Sequence, residues 1–294
     1  MKDPAIQSNR AQCMFALISA SIVAICVCAG VIMNLVTPFD KNFDHMGIRT
    51  FCMFTVDSNI LAGVAMLLCL PYTVDGIRTG YYHLPDWVVV LMHIAVTTVS
   101  LTFMVSLFIL TPAKGFVLIF SGSRFFLHGV CPLLCIVAFC CFINSHLIRF
   151  KESFLALIPV LIYATVYVVM VVFIGEERGG WNDFYGFTTR VPIWVSFSVI
   201  MPMTVAIILL LRLGHNKCCI RRRNKDAELY REAYNGADLR EVVEKMAASH
   251  KNELKTDSIV IPSQTIGYMI QNSGNSLDVA EGCRLYLESY LKEA

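Results

Sequence analysis

The chain has 294 residues, of which 56 % are hydrophobic and only 16 % charged, and its formal net charge is +2. A mean hydropathy of +0.61 is too apolar for an ordinary water-soluble domain of this length. The near-neutral charge removes any need for a nucleic-acid partner, so an all-α, polytopic membrane protein is the class that remains.

A helix of about 20 apolar residues crosses the ~30 Å hydrocarbon layer, and six stretches reach that length, at roughly 13–36, 51–72, 86–111, 122–144, 153–174 and 191–213. The first, with "ASIVAICVCAGVIMNLV", runs on apolar without a small-residue cleavage pattern, and it is expected to be retained. Residues 1–213 thus form a six-helix transmembrane domain, and 214–294 a partly helical cytoplasmic tail. With the N-terminus inside, eleven Lys and Arg near the span ends lie on the inner side and six on the outer. The margin comes from "RLGHNKCCIRRRNK" after the last span, whose basic cluster suits anionic lipid. Both termini are therefore expected in the cytoplasm and the chain in the plasma membrane, with membrane lipids as its surroundings.

Polar residues at membrane depth are costly and usually face the bundle interior or a water-filled cavity. On the second span, "FCMFTVDSNILAGV" carries Thr55, Asp57, Ser58 and Asn59. At 100° per residue Thr55, Ser58, Asn59 and Ala62 share a face, while Asp57 points away from it. On the third, His93, Thr97, Ser100 and Met104 align. On the fourth, "SGSRFFLHGVCPLLC" aligns Ser121, Arg124, His128, Pro132 and Cys135. These three stripes are expected to meet, with Thr55, Asn59, His93 and His128 lining one pocket open toward the outer half of the membrane.

Pro132 has no N–H and clashes with the carbonyl four residues back, which places a kink and a released carbonyl at His128. Arg124 lies near enough to the outer interface to snorkel. Ser58, Thr97 and Ser100 are expected to bond back to their own helix or to a neighbour, and Asn34 and Asn59 to join helices.

Twelve cysteines form no CxxC pair, and nine lie in or beside the spans, where cysteine behaves as a small hydrophobe. Cys218 and Cys219, just past the last span, are candidates for lipidation. No metal site or cofactor is implied. In the tail, "DLREVVEKMAASHKNEL" and "SLDVAEGCRLYLESYLKEA" read as amphipathic helices suited to packing on the cytoplasmic face or on a partner.

"MFTVDSNILAGV" resembles the second-helix motif of a family of uncharacterised bacterial six-helix membrane proteins. "FFLHGVCPLLCIV" resembles that family's His-x3-Pro-Leu segment, and "WNDFYGF" sits where the family carries an aromatic motif before its last helix. That family is distantly similar to the androgen-induced-protein family of intramembrane threonine hydrolases, which cleave fatty acid esters of hydroxy fatty acids. The resemblance implies that Thr55 is a nucleophile and His128 its base, acting on an acyl-ester substrate. A Thr hydroxyl needs a neighbouring base, and a neutral imidazole suits the exchange. Asn59 is then a candidate oxyanion donor, His93 a candidate orienter of the base, and Arg124 a supporting residue.

A different class also fits the stripes: a transporter, channel or sensor in which they serve packing or transport. A haem-binding bundle is a third, with His93 and His128 as axial ligands.

Overall fold

The structure, a computed structural model, describes residues 6–36, 47–79, 82, 84–143, 147–188 and 192–233. The amphipathic segments expected in the tail, from residue 239 onward, lie outside the described residues.

All the regular structure described is helical, and six helices are long and apolar enough to cross a membrane. They are α1 (Ile6–Val36), α2 (Phe54–Thr79), α3 (Asp86–Lys114), α4 (Ser123–Phe142), α5 (Phe150–Ile174) and α6 (Ile193–Ala233). The chain is a multi-pass integral membrane protein in its make-up. The observed spans match the hydropathy reading within a few residues, except that α2 runs on to Thr79, past the end expected at 72, and α6 runs through the boundary expected at 213. Its apolar span reaches Arg222. Cys219, one of the two lipidation candidates, lies inside this helix and is a packed side chain, 2 % exposed. The described cysteines form no disulfides.

The bundle is apolar outside and partly polar inside, the reverse of a soluble protein. Ile25, Phe108, Ile162, Phe173 and Leu210 are exposed, whereas Thr55, Ser58, Asn59, His93, Thr97 and His128 are buried. Lipid has no hydrogen-bonding capacity, so polar groups gain only by facing other helices. Helical phase separates Asp57 from Thr55, as expected: Asp57 is exposed while its neighbours two residues to either side on the Thr55 stripe are buried.

Consecutive helices alternate in direction, and hydrogen bonds identify the two ends of the bundle. At one end Arg10 donates to the Arg78 carbonyl, Gln12 to the Phe142 carbonyl and Arg212 to the Ile148 carbonyl. At the other, Ser123 donates to Asn34 at 2.5 Å, joining the end of α1 to the start of α4. Close packing of α1 on α4 depends on Gly30, because a Cβ there would come within 2.7 Å of the Leu127 side chain.

Four segments wind as π-helix: Ser106–Leu110, Phe126–Val130, Ala138–Phe142 and Val169–Ile174. Such turns recur at functional sites because the wider winding re-aims side chains and releases carbonyls. His128 lies in the second of them.

Between α5 and α6 the chain folds back over the end of the bundle where α2 begins. Trp181 N–H donates to the Met170 carbonyl at 3.1 Å and Gly180 N–H to the Gly175 carbonyl at 2.8 Å. A side chain at position 180 would run into the Met170 carbonyl, so glycine is required there.

Six spans place residue 225 and the loop around 180 on opposite faces of the membrane. Reporter fusions at these two positions are expected to give opposite sidedness; the same sidedness at both would contradict the six-span order.

Candidate active site

Thr55 opens α2, and its hydroxyl lies 3.3 Å from His128 Nε2 on α4. The other ring nitrogen, Nδ1, lies 2.8 Å from the Ile119 backbone carbonyl. A carbonyl only accepts, so the proton of the neutral ring sits on Nδ1. Nε2 is then a lone-pair acceptor, and the Thr55 hydroxyl must be its donor. Proton direction therefore follows from the position of one backbone oxygen. Ile119 belongs to a short helical turn, Phe116–Ile119, that caps the bundle between α3 and α4, and Phe120 beside it meets the His128 ring edge-on at 6.1 Å.

Asn59, one turn along from Thr55, donates to the Thr55 carbonyl at 2.7 Å and to the Leu127 carbonyl at 2.9 Å. Both protons of its amide are thereby used. Asn59 ties the Thr55 turn of α2 to α4, the helix-joining role expected of it, and has no amide proton left for the alternative role of oxyanion donor. The Pro132 expectation is corrected by one residue for a related reason. In the π turn, Cys131 N–H reaches back five residues to the Phe126 carbonyl. In that register the next donor would serve Leu127, and Pro132 has none. The orphaned Leu127 carbonyl is the one that Asn59 fills.

Ser58 donates to the Thr55 carbonyl at 3.1 Å, and its oxygen lies 2.9 Å from Thr102 Oγ1 on α3. With the Ser58 proton committed, Thr102 is the donor of that pair. Thr98 bonds back to the Ala95 carbonyl at 2.7 Å. The hydroxyls of Thr97 and Ser100, expected to do likewise, have no hydrogen-bond partner among the described residues.

His93 does not join Thr55 and His128. It packs at 5.7 Å on Phe139, whose other side stacks on His215 at 4.4 Å, and neither ring nitrogen has a hydrogen-bond partner among the described residues. The α3 residue that reaches the Thr55 level is Thr102, nine residues on, which at 1.5 Å rise is about 13 Å further along the axis. The expected shared face was right in phase and wrong in depth. Ile119, not His93, orients the His128 ring, and with both nitrogens of His128 engaged the paired-axial-ligand arrangement has no support. Arg124 is half-buried one turn before His128 on the same helix.

Two adjoining cavities of about 80 and 320 Å³ lie beside Thr55 and share Leu110, Tyr185, Phe187, Ser196 and Ile200. Thr55 lines the first, whose remaining wall is mainly apolar, with Leu101, Val105, Val160, Phe197 and Met201. The second falls within the ~300–1,000 Å³ range of ligand pockets. Ala113 on α3 and Val199 on α6, both exposed, form part of its wall, so it faces lipid between those two helices.

The loop "WNDFYGF" covers these cavities, and sequence reasoning gave it no site residue. Asp183 folds it: Tyr167 donates to Oδ1 at 2.5 Å, Phe187 N–H to Oδ1 at 2.9 Å, and the Thr188 N–H and hydroxyl to Oδ2 at 2.8 and 2.7 Å. Lys114 holds the Phe184 carbonyl at 2.8 Å. Tyr163 on α5 donates to the Cys52 carbonyl at 2.9 Å and packs against Phe54 at 5.0 Å, which fixes the residues immediately ahead of Thr55. The clue in the sequence was an acidic residue inside an aromatic run, a composition poorly suited to a plain interfacial belt.

The chain matches no family model, no curated protein and no solved structure. What defines the site is its geometry: a hydroxyl–imidazole pair whose hydroxyl side chain lines an apolar cavity inside a six-span bundle.

Asn59→Ala leaves the Leu127 carbonyl without its donor, and the expected loss of stability is about 1–3 kcal/mol. Asp57→Asn, on the exposed face, is expected to change stability by no more than about 0.5 kcal/mol. Thermal unfolding of the purified variants in detergent checks both.

Proposed function

We propose that the protein is a membrane-embedded hydrolase of lipid or fatty acyl esters, with Thr55 as nucleophile and His128 as general base. The observation that carries this reading is the Thr55 hydroxyl donating to His128 Nε2 while Ile119 holds Nδ1–H, all beside an apolar cavity. A threonine kept only for packing would bond back to its own helix, as Thr98 and Thr165 do.

In the proposed reaction an acyl chain lies along the apolar cavities and presents its ester carbonyl to Thr55. The hydroxyl proton passes to Nε2 as the Oγ1–carbon bond forms. The imidazolium then returns that proton to the departing alcohol oxygen as the ester C–O bond breaks. Water repeats the sequence on the acyl-threonine, losing a proton to Nε2, and Thr55 recovers its own as the fatty acid leaves. The 3.3 Å separation is long for an O–H···N bond, in keeping with catalytic contacts that tighten only around substrate. Ile119 holds the ring in one tautomer throughout, the part a carboxylate plays in hydrolytic triads. The resemblance of the Thr55 and His128 segments to a bacterial six-helix family that is itself distantly similar to the androgen-induced-protein family supports the same chemistry. So does the lipid-facing cavity wall at Ala113 and Val199, which offers an acyl chain a path from the bilayer.

The test is hydrolysis of a 4-methylumbelliferyl ester of a long-chain fatty acid by purified protein in detergent micelles. Thr55→Ala and His128→Ala are each expected to abolish turnover while the proteins insert and purify normally. Thr55→Ser, which keeps a hydroxyl, is expected to retain activity. Full activity in Thr55→Ala would remove the nucleophile from the proposal.

A further inference from the structure

The proposed reaction needs a donor for the negative charge that develops on the carbonyl oxygen, and Asn59 has no proton left to give. An oxyanion donor must be a polar hydrogen that is buried, close to the nucleophile and otherwise unengaged. Tyr185 meets all three conditions. Its hydroxyl oxygen is buried and completes no hydrogen bond of good geometry among the described residues, although it lies close to the Thr55 and Tyr163 side chains and to the backbone of Phe54 and Thr55. A buried phenol usually finds a partner. Here the residue instead lines both cavities, together with Thr55 in the first.

We infer that the Tyr185 hydroxyl is the oxyanion donor of this site and that Asp183 is the residue that positions it. This rests on the Thr55 reading and deepens it by supplying the missing group. As Thr55 Oγ1 bonds to the carbonyl carbon, the π electrons move to the carbonyl oxygen, which accepts a hydrogen bond from the Tyr185 O–H. When the carbonyl re-forms and the alcohol departs, that bond relaxes, and Tyr185 keeps its proton throughout.

Burial raises the pKa of this phenol above its usual value of 10, so it is neutral and a donor at every pH at which the imidazole can act as base. Asp183 accepts four hydrogen bonds from Tyr167, Phe187 and Thr188, on both sides of Tyr185 in the chain or against its ring. Tyr185 stacks between these anchors, 5.1 Å from Phe187 and 5.8 Å from Tyr167. The loop is thereby fixed before substrate arrives, which is what makes a single donor effective.

The experiment compares Tyr185→Phe, Asp183→Asn and the double variant with wild type and Thr55→Ala, using the same umbelliferyl ester. Tyr185→Phe is expected to lower kcat by about 10²–10³-fold with KM little changed, as for other oxyanion-hole donors. Its thermal midpoint is expected to hold or rise, because the hydroxyl removed has no partner to lose. Asp183→Asn is expected to lower kcat by a smaller factor, and the double variant to fall no further than Tyr185→Phe alone, because both changes act through one hydroxyl. Wild-type kcat in Tyr185→Phe, with Thr55→Ala inactive, would overturn the donor role and leave the Thr55–His128 pair standing. A loss of rate matched by a loss of thermal stability, or additive effects in the double variant, would make Tyr185 a packing residue and likewise overturn it. An active Thr55→Ala would overturn both readings together.

Discussion

The bond from His128 Nδ1 to the Ile119 carbonyl is the interaction on which the site depends. It fixes the tautomer, and the tautomer fixes the direction of the Thr55 proton. A backbone oxygen is well suited to this in an apolar bundle. A buried carboxylate would bring a charge whose desolvation costs several kcal/mol unless it is paired and hydrogen-bonded, and no acidic residue lies on the buried faces of α2, α3 or α4 among the described residues. The carbonyl supplies a fixed dipole without that penalty. In the proposed reaction it would stabilise an imidazolium less than a carboxylate does, so the transition state would lean more heavily on whatever meets the oxyanion.

Several local features converge on holding that carbonyl and ring in place. Pro132 and the π turn together orphan the Leu127 carbonyl, and Asn59 fills it from α2. Gly30 lets α1 press on the Leu127 side chain, and Ser123 pins the start of α4 to Asn34. Each contact restrains the one or two turns of α4 that carry His128. Thr55 is restrained in the same manner, since its carbonyl accepts from both Ser58 and Asn59 while Tyr163 holds Cys52.

How much of this was legible in the sequence depends on what each signal measures. Hydropathy measures length in lipid, and the six spans followed from it closely. Periodicity measures angle about a helix axis, so it put Thr55, Ser58 and Asn59 on one buried face and Asp57 on another. It carries no information about depth, and His93 was assigned to a site about 13 Å from its own level. Regular winding was also assumed across Pro132, whereas the π turn moved the released carbonyl from His128 to Leu127. The Ile119 contact could not be read from side-chain identity, because it is made by backbone. Tyr185 sits in a loop that has no period at all, and only the Asp183 within its aromatic run hinted that this loop is built and not merely interfacial.

If the proposed reaction holds, the two cavities would also set substrate selectivity. Thr55 lines the smaller cavity, while the larger one, with Ala113 and Val199 in its wall, lies toward lipid. A chain arriving between α3 and α6 would fill the larger space first and bring its ester group to Thr55 only if it extends into the smaller. Apolar burial gives about 0.8 kcal/mol per methylene, so such a site would discriminate substrates by chain length at the far end and by carbonyl geometry at the near end. Polar esters gain nothing from the first of these terms. Within the proposed reaction, the preference for lipid esters therefore arises from the walls of the cavity, and the chemistry from the three residues, Thr55, His128 and Tyr185, gathered beside its smaller part.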